Sequence, residues 1–371
     1  MSPFFPDKWH TATAVAELPD GDGYLIAGQR DYNEPGQIAA WAMKLDRQGR
    51  TRWWRNFDDA YEVRSFGLAA LPDGGAFLAG SSGDSTTARP WIARISPKAW
   101  VFWERRLPAP AGTWSGIEAL TVSHDGTLLA AGTDYASDGT TTSWLLRLST
   151  DGEILTRRHL PNATPRGIEH VIELPDGSLA LAGPLLAAAD APGAERQRRD
   201  GWIARVSAGG DVIWMQDLAG GPQEGIGGLA PDGNQGVLAA GWQLDDPWHA
   251  TQAWTRRFAP DGAVIGELTF GGRGLDLLAA VLPEASGGHW LIGTTHPGPH
   301  SDGTEPATAW KRTLRADGWL GEAQLLGASA RLDLTAAVGT GDGGLLIVGW
   351  RTILAHLSPD IWIARFVLPT G

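Results

Sequence analysis

The sequence contains no cysteine, only three methionines and four tyrosines in 371 residues, and no excess of positive charge. Against 30 Lys and Arg stand 42 Asp and Glu, a net charge of −12. Each deficit removes a class of function. Without thiols there is no disulfide, zinc–thiolate site, iron–sulfur cluster or cysteine nucleophile. Without a basic stripe there is no surface for nucleic acid or an anionic membrane, both of which need clustered Lys and Arg. No apolar run reaches the ~20 residues of a membrane span, so none is expected. The opening Met1-Ser2-Pro3-Phe4-Phe5-Pro6-Asp7-Lys8 lacks a basic start followed by an apolar stretch. No signal peptide is read there and a cytoplasmic location is expected, although a processed, exported chain would read the same way. No Gly-x-Ser-x-Gly elbow, phosphate loop or His-Glu-x-x-His pair occurs, and no cofactor is predicted.

What is abundant is glycine (50) and tryptophan (19). The tryptophans head a repeated pentapeptide. Trp202-Ile203-Ala204-Arg205-Val206 returns as Trp91-Ile92-Ala93-Arg94-Ile95 and as Trp362-Ile363-Ala364-Arg365-Phe366. Looser copies begin at Trp41, Trp144, Trp254 and Trp310. A period of roughly 50 residues is the length of one propeller blade. Each unit reads as four short strands. An Asp-Gly turn such as Pro72-Asp73-Gly74 joins the first two, the second ends on a glycine, and the Trp opens the third. Glycine and proline occupy turns because one accepts positive φ and the other presets φ. The glycine ending each second strand (Gly28, Gly80, Gly132, Gly183, Gly241, Gly293, Gly349) predicts a bulge or a close backbone approach.

The expectation is an all-β, seven-bladed β-propeller of four-stranded antiparallel blades, forming one domain over residues 1–371. The blades fall at about 11–57, 66–107, 116–160, 167–218, 226–270, 277–326 and 334–371. The last lacks a fourth strand of its own, and residues 2–6 are expected to complete it, which would remove exposed edges.

Blades stack face to face, so a Trp in every copy is read as packing between them. The basic residue three places on (Lys44, Arg94, Arg147, Arg205, Arg257, Arg365) points to the opposite face. A buried cation needs a partner, and a turn aspartate or backbone carbonyls are expected to supply it.

The order Asp-Gly, apolar strand, Ala-Gly, loop, aromatic-x-Ala-Arg-Leu, Asp-Gly resembles bacterial delta-60-type repeats. It is also similar to quinoprotein-like propeller repeats, in which a turn glycine precedes a docking Trp. Gly49 with Trp53 and Gly210 with Trp214 match that order, whereas Leu155, Ile265 and Leu320 depart from it. The resemblance implies a propeller whose relatives include redox enzymes and assembly scaffolds.

The two loop classes that vary in length lie on one face of such a ring, and function tends to sit on variable loops. At the channel mouth of that face the first strands offer His10, Arg64, Arg166, Glu224, Asp276 and Asp333. Its loops offer Asp245, Asp246, Trp248, His249 and His356. His296, His300, Asp302 and Glu305 have ligand types suited to a divalent metal, but the histidines flank Pro-Gly-Pro and lose helical i, i+4 geometry. No metal is therefore predicted. The expected function is a non-catalytic scaffold binding a protein partner, or a small ligand, through the long-loop face. The alternative is a carbohydrate-active hydrolase or lyase with acids and histidines at the channel mouth. The closure expectation has a direct check: removing residues 1–8 should lower the melting temperature in a thermal scan, and an unchanged value would refute it.

Overall fold

The computed structural model describes residues 9–19, 21–31, 38–57, 62–84, 87–161, 167–186, 198–218, 223–233, 235–244, 251–272, 274–284, 287–298, 305–352 and 360–367. Among these residues every regular element is a β-strand. The third repeat shows the plan. Strands Thr113–Val122, Leu128–Ala136, Thr141–Leu148 and Ile154–His159 form a meander in which each pairs antiparallel with the next. The first strand of each repeat lies beside that of the following one, and Trp9–Glu17 lies beside Arg331–Gly339 of the last, which closes the ring around a central channel.

The strand pairing corrects the expected count. Sheets of four or more strands number five, not seven. One is eight-stranded, because the fifth and sixth repeats are joined by a single parallel pairing of Thr251 with Leu275. The last repeat is three-stranded, ending at Asp360–Phe366. Residues 2–6, expected as its fourth strand, lie outside the described residues.

The core lies between repeats rather than within them. Trp91 is enclosed by Leu25, Ala27 and Ala40 of the first repeat and Leu78 and Ala93 of its own. Trp144 packs on Phe77 and Ile92, and Trp254 on Ala180 and Ile203. Trp41 meets Leu346 and Val348 of the last repeat, sealing the ring with the same contact. Both faces of these sheets are covered by neighbours, so the second and third strands read as continuous apolar runs.

Each Trp also pairs across the strands with the repeat glycine, as Trp144 does with Gly132 and Trp91 with Gly80; this glycine was expected to end the second strand but lies inside it, since the strand of Gly132 runs on to Ala136. A Cβ at Gly132 would stand 2.1 Å from the Gly116 carbonyl oxygen and 2.5 Å from the Trp144 ring. At Gly80 it would stand 1.8 Å from the Arg64 oxygen. Opposite the glycine the first strand bulges: Ile117 pairs with Gly132 and Ala119 with Ala131, leaving Glu118 as the extra residue. The bulge turns a carbonyl toward the glycine, and only glycine leaves room for it.

The basic residues cross-link the short-turn side. Arg205 donates to Asp176 at 2.6 Å and Ser178 at 2.9 Å in its own repeat, and to the Gln235 carbonyl of the next at 2.9 Å. Arg94 and Arg147 hold Asp73 and Asp125 in the same way, Lys44 holds Asp22, and Arg365 bonds Asp342 and the Tyr24 hydroxyl of the first repeat. Turn aspartates also accept a backbone N–H two residues on, as Asp73 does from Gly75, so one carboxylate serves the turn and the arginine together. Hydrogen bonds and these cations hold the carboxyls of Asp22, Asp125, Asp176 and Asp342 below the usual carboxylate range. The sixth repeat has Glu284 in its turn and Thr313 in place of the basic residue, so both members of the pair are changed there.

Substituting Gly132 by alanine forces a methyl against a backbone oxygen and should cost about 3 kcal/mol or more. Gly209→Ala, whose added methyl meets nothing nearer than 3.6 Å, should stay within roughly 0.5 kcal/mol of the parent. Chemical denaturation of the two variants checks the contrast.

Candidate functional site

Strand alternation divides the residues expected at the channel mouth. His10, Glu224 and Asp276 occupy equivalent first-strand positions and are buried, with 4 %, 6 % and 5 % of their surface exposed. His10 meets Trp54 edge-on at 6.1 Å. Glu224 takes two hydrogen bonds from Arg256, at 2.7 and 2.9 Å, and that guanidinium also holds Glu267 and lies over Trp254. Asp276 accepts from the Thr295 hydroxyl and, at 2.8 Å, from the Gly272 N–H. Thr295 in turn accepts from the indole of Trp310. These side chains point into the seams between repeats, where they are tied to structural partners.

Arg64 and Asp333 lie one residue further along, on the opposite side of the strand, and are partly exposed. Arg64 is paired with Glu62 at 3.2 Å. Asp333 lies 2.8 Å from Nε2 of His296 in the preceding repeat, a contact that the sequence did not indicate. Glu305 is exposed. Arg166, Asp245, Asp246, Trp248, His249, His300, Asp302 and His356 lie outside the described residues. Among the described residues no group of three or more His, Asp or Glu could hold a metal ion.

The groups that sequence reasoning missed sit at the bulges. The extra residues there are Thr13, Phe66, Glu118, Gly227, Ala279 and Thr335; all have some exposure, and at Phe66, Glu118, Gly227 and Ala279 both strand neighbours are buried. These positions lie on the innermost strand of each repeat and keep partial exposure. Two consecutive repeats carry the same tripeptide, Gly116-Ile117-Glu118 and Gly167-Ile168-Glu169; Glu118 is the bulge residue of its first strand, and Glu169 immediately precedes the first strand of the next repeat, His170–Glu173. That repeated Gly-Ile-Glu was the legible signal.

Glu118 accepts from the Thr133 and Tyr135 hydroxyls, each at 2.9 Å. Thr133 also accepts from the Ile168 N–H of the next repeat at 3.3 Å. Glu118 is partly exposed yet largely enclosed by protein. This enclosure raises its pKa to about 7, with the Glu169 charge adding to the effect and the hydroxyl bonds opposing it. Enclosure, followed by the nearby Glu118 charge, pushes the Tyr135 phenol well above its ordinary value. A carboxyl poised near neutrality can hold or release a proton under ordinary conditions.

A second missed feature is apolar. Trp100, Phe102, Ile213, Ile265 and Trp319 have half or more of their surface exposed. Trp100, Phe102, Ile213 and Ile265 lie at or beside the starts of the outermost strands of the second, fourth and fifth repeats, and Trp319 lies in the segment that leads to that of the sixth. This puts a discontinuous apolar belt on the outer edge of the ring, next to the short turns.

No family model matches this sequence, and no curated protein does. Solved structures share the fold. The BBS1N chain of a complex with ARL6DN is 12 % identical with a TM-score of 0.54, over 100 % of this chain and 94 % of that one. The β-propeller domain of the Trilobed protease from Pyrococcus furiosus is 9 % identical with a TM-score of 0.52, over 98 % and 99 %. Puromycin hydrolase is 14 % identical with a TM-score of 0.54, over 97 % of this chain but 54 % of its own length. At such identities the likeness defines a β-propeller fold and nothing finer.

The Glu118 carboxyl gives a pH prediction. Its folded pKa lies above its ordinary value of 4.5, so its contribution to stability is complete below about pH 4.5 and is lost as pH rises through about 7. The loss amounts to at most about 3 kcal/mol. Glu118→Gln should remove this slope, so the variant should gain on the parent between pH 5 and pH 8 in thermal melts. Parallel curves across that range would refute it.

Proposed function

We propose that the protein is a non-catalytic β-propeller that serves as a binding scaffold for a protein partner. The observation that carries this reading is the apolar belt. Trp100 and Phe102 are 69 % and 59 % exposed, and Ile265 is 64 % exposed. Exposed apolar groups recurring on one edge of a rigid body suit docking. The long-loop face is the second surface of the same scaffold, and varied loops on a fixed ring suit recognition. The BBS1N propeller, solved as a complex with ARL6DN, lends the reading support by analogy of fold.

The rival reading, a carbohydrate-active hydrolase or lyase, needs acids that converge in water at the channel mouth. His10, Glu224 and Asp276 are turned into the seams instead, and Glu224 is neutralised by Arg256. The seven sequence repeats are read, under the same proposal, as seven units of one ring, with residues 2–6 lying along the open edge of Asp360–Phe366.

The test uses affinity capture with the full chain and two variants. One replaces Trp100, Phe102 and Ile265 by glutamate, and the other lacks residues 187–197, which connect Leu179–Leu186 to Arg198–Val206. A partner retained in stoichiometric amount by the parent and lost from the glutamate variant supports the belt. Loss from the loop deletion alone moves the contact to the long-loop face. A parent that retains nothing, while cleaving a glycoside in a substrate screen, would overturn the scaffold reading.

A further inference from the structure

The seam between the last repeat and the first differs from the other seams at its short-turn end. It holds a cavity of about 710 Å³, lined by Tyr24, Met43, Gly49, Leu346, Ile363 and Arg365 among others. The corresponding place between the third and fourth repeats, beside Thr156 and Gly210, leaves only about 20 Å³. In three repeats a fourth-strand tryptophan fills it. Trp53, Trp103 and Trp214 stand opposite the third-strand cations Lys44, Arg94 and Arg205. Each meets the turn between the third and fourth strands of the following repeat. The Trp53 indole donates to the Pro97 carbonyl at 2.9 Å, and that of Trp214 to the Pro260 carbonyl at 3.0 Å. A Cβ at Gly152 would stand 2.7 Å from the Trp103 ring, and one at Gly262 2.9 Å from Trp214.

The last seam has the same walls without the indole. Leu346, Ile363, Met43 and Leu45 stand where Leu25, Ala42, Ala93 and Ile95 surround Trp53. Gly49 is the counterpart of Gly152 and Gly262, and among the described residues a Cβ there would meet nothing within 4 Å. The counterpart of the Pro97 and Pro260 carbonyls is that of Arg47, while Arg365 across the seam is already bonded to Tyr24 and Asp342. The Trp heading the third strand is buried in the first six repeats and partly exposed in the last. Among the described residues no strand pairs with the outer edge of Asp360–Phe366.

We propose that this cavity receives the indole of a tryptophan carried by an extended segment of a partner protein, which adds as a strand beside residues 364–366. The apolar walls and the open turn glycine take the ring, and the Arg47 carbonyl takes its N–H. The free strand edge supplies backbone hydrogen bonds. Residues 2–6 contain no tryptophan and belong to the other end of the same edge. Phe4, six residues ahead of His10, matches Phe57 and Phe270, six ahead of Val63 and Asp276, and those two rings pack on Trp91 and Trp310 toward the long-loop end. The proposal deepens the scaffold reading and rests on it, with a contact separate from the outer belt.

The test is isothermal titration calorimetry of the full chain with a capped peptide of the sequence 211–217, which carries Trp214. A second peptide has alanine in place of that tryptophan. The parent should bind the first peptide saturably at one site with a Kd below about 1 mM, and the alanine peptide at least roughly tenfold more weakly. Ile363→Trp, which places an indole of the chain's own in the cavity, should weaken binding by roughly tenfold or more. Leu346→Trp carries the same expectation if Ile363→Trp does not fold, and thermal melts establish folding for each variant. Leu155→Ala, on the outermost strand of the third repeat, should leave binding unchanged. Removing residues 1–8 should shift the Kd by less than about threefold. Binding that appears only after that removal would assign the cavity to the chain's own N-terminal segment and overturn the proposal. No saturable heat from the parent up to ~3 mM peptide, equal binding of the alanine peptide, or equal binding by Ile363→Trp would overturn it too. Any of these results beside intact capture of a partner by the belt strikes this site alone and leaves the scaffold reading standing.

Discussion

One missing side chain governs the architecture. Within the second strands a backbone oxygen of the first strand closes on the repeat glycine, and at Gly28, Gly132, Gly241 and Gly293 the ring of the repeat tryptophan converges on the same Cα; at Gly132 a methyl would lie 2.1 Å from one and 2.5 Å from the other. Glycine lets the bulge form, and the bulge bends the inner strand. The Trp then lies flat against that position and offers its other side to the neighbouring repeat. Because Trp41 makes this contact with Leu346 and Val348, the same device joins the two ends of the chain. The ring is thus a repeated solution to one packing constraint.

The arginines serve the opposite end of the blades. A turn aspartate that already caps its own backbone also orients a guanidinium, and that guanidinium reaches carbonyls of the next repeat, as Arg205 reaches Gln235. Buried polar groups are tolerated when every partner is met, and here the partners come from two repeats at once. Packing near the long-loop side and hydrogen bonding on the short-turn side hold the same seam from both ends.

The bulge that shapes the ring also supplies its chemistry. The extra residue in a first strand keeps partial exposure. In the third repeat that residue is glutamate, with the Trp114 ring close to Gly116 and Tyr135 edge-on to Trp114. A structural device repeated around the ring thereby becomes individual where one copy carries an acid.

Much of this was legible in the residues alone. The Trp-x-Ala-Arg copies, the Asp-Gly turns and the repeat glycines specified antiparallel strand units, their order, and the pairing of arginine with turn aspartate, because these depend on short-range periodicity. The joining of two repeats through Thr251 and Leu275 was not legible, since a single bridge leaves no pattern. Nor was the fate of the channel-mouth residues: His10, Glu224 and Asp276 differ from Arg64 and Asp333 by one position in the strand, and that one position exchanges a buried seam for partial exposure. The doublet Gly-Ile-Glu was visible, but its meaning depended on a bulge that only the paired strands define. Sequence determined which unit repeats and how each unit folds, since those interactions lie within some fifty residues. Which side chains reach water was decided by tertiary structure, because burial in a ring is set by the neighbouring repeat.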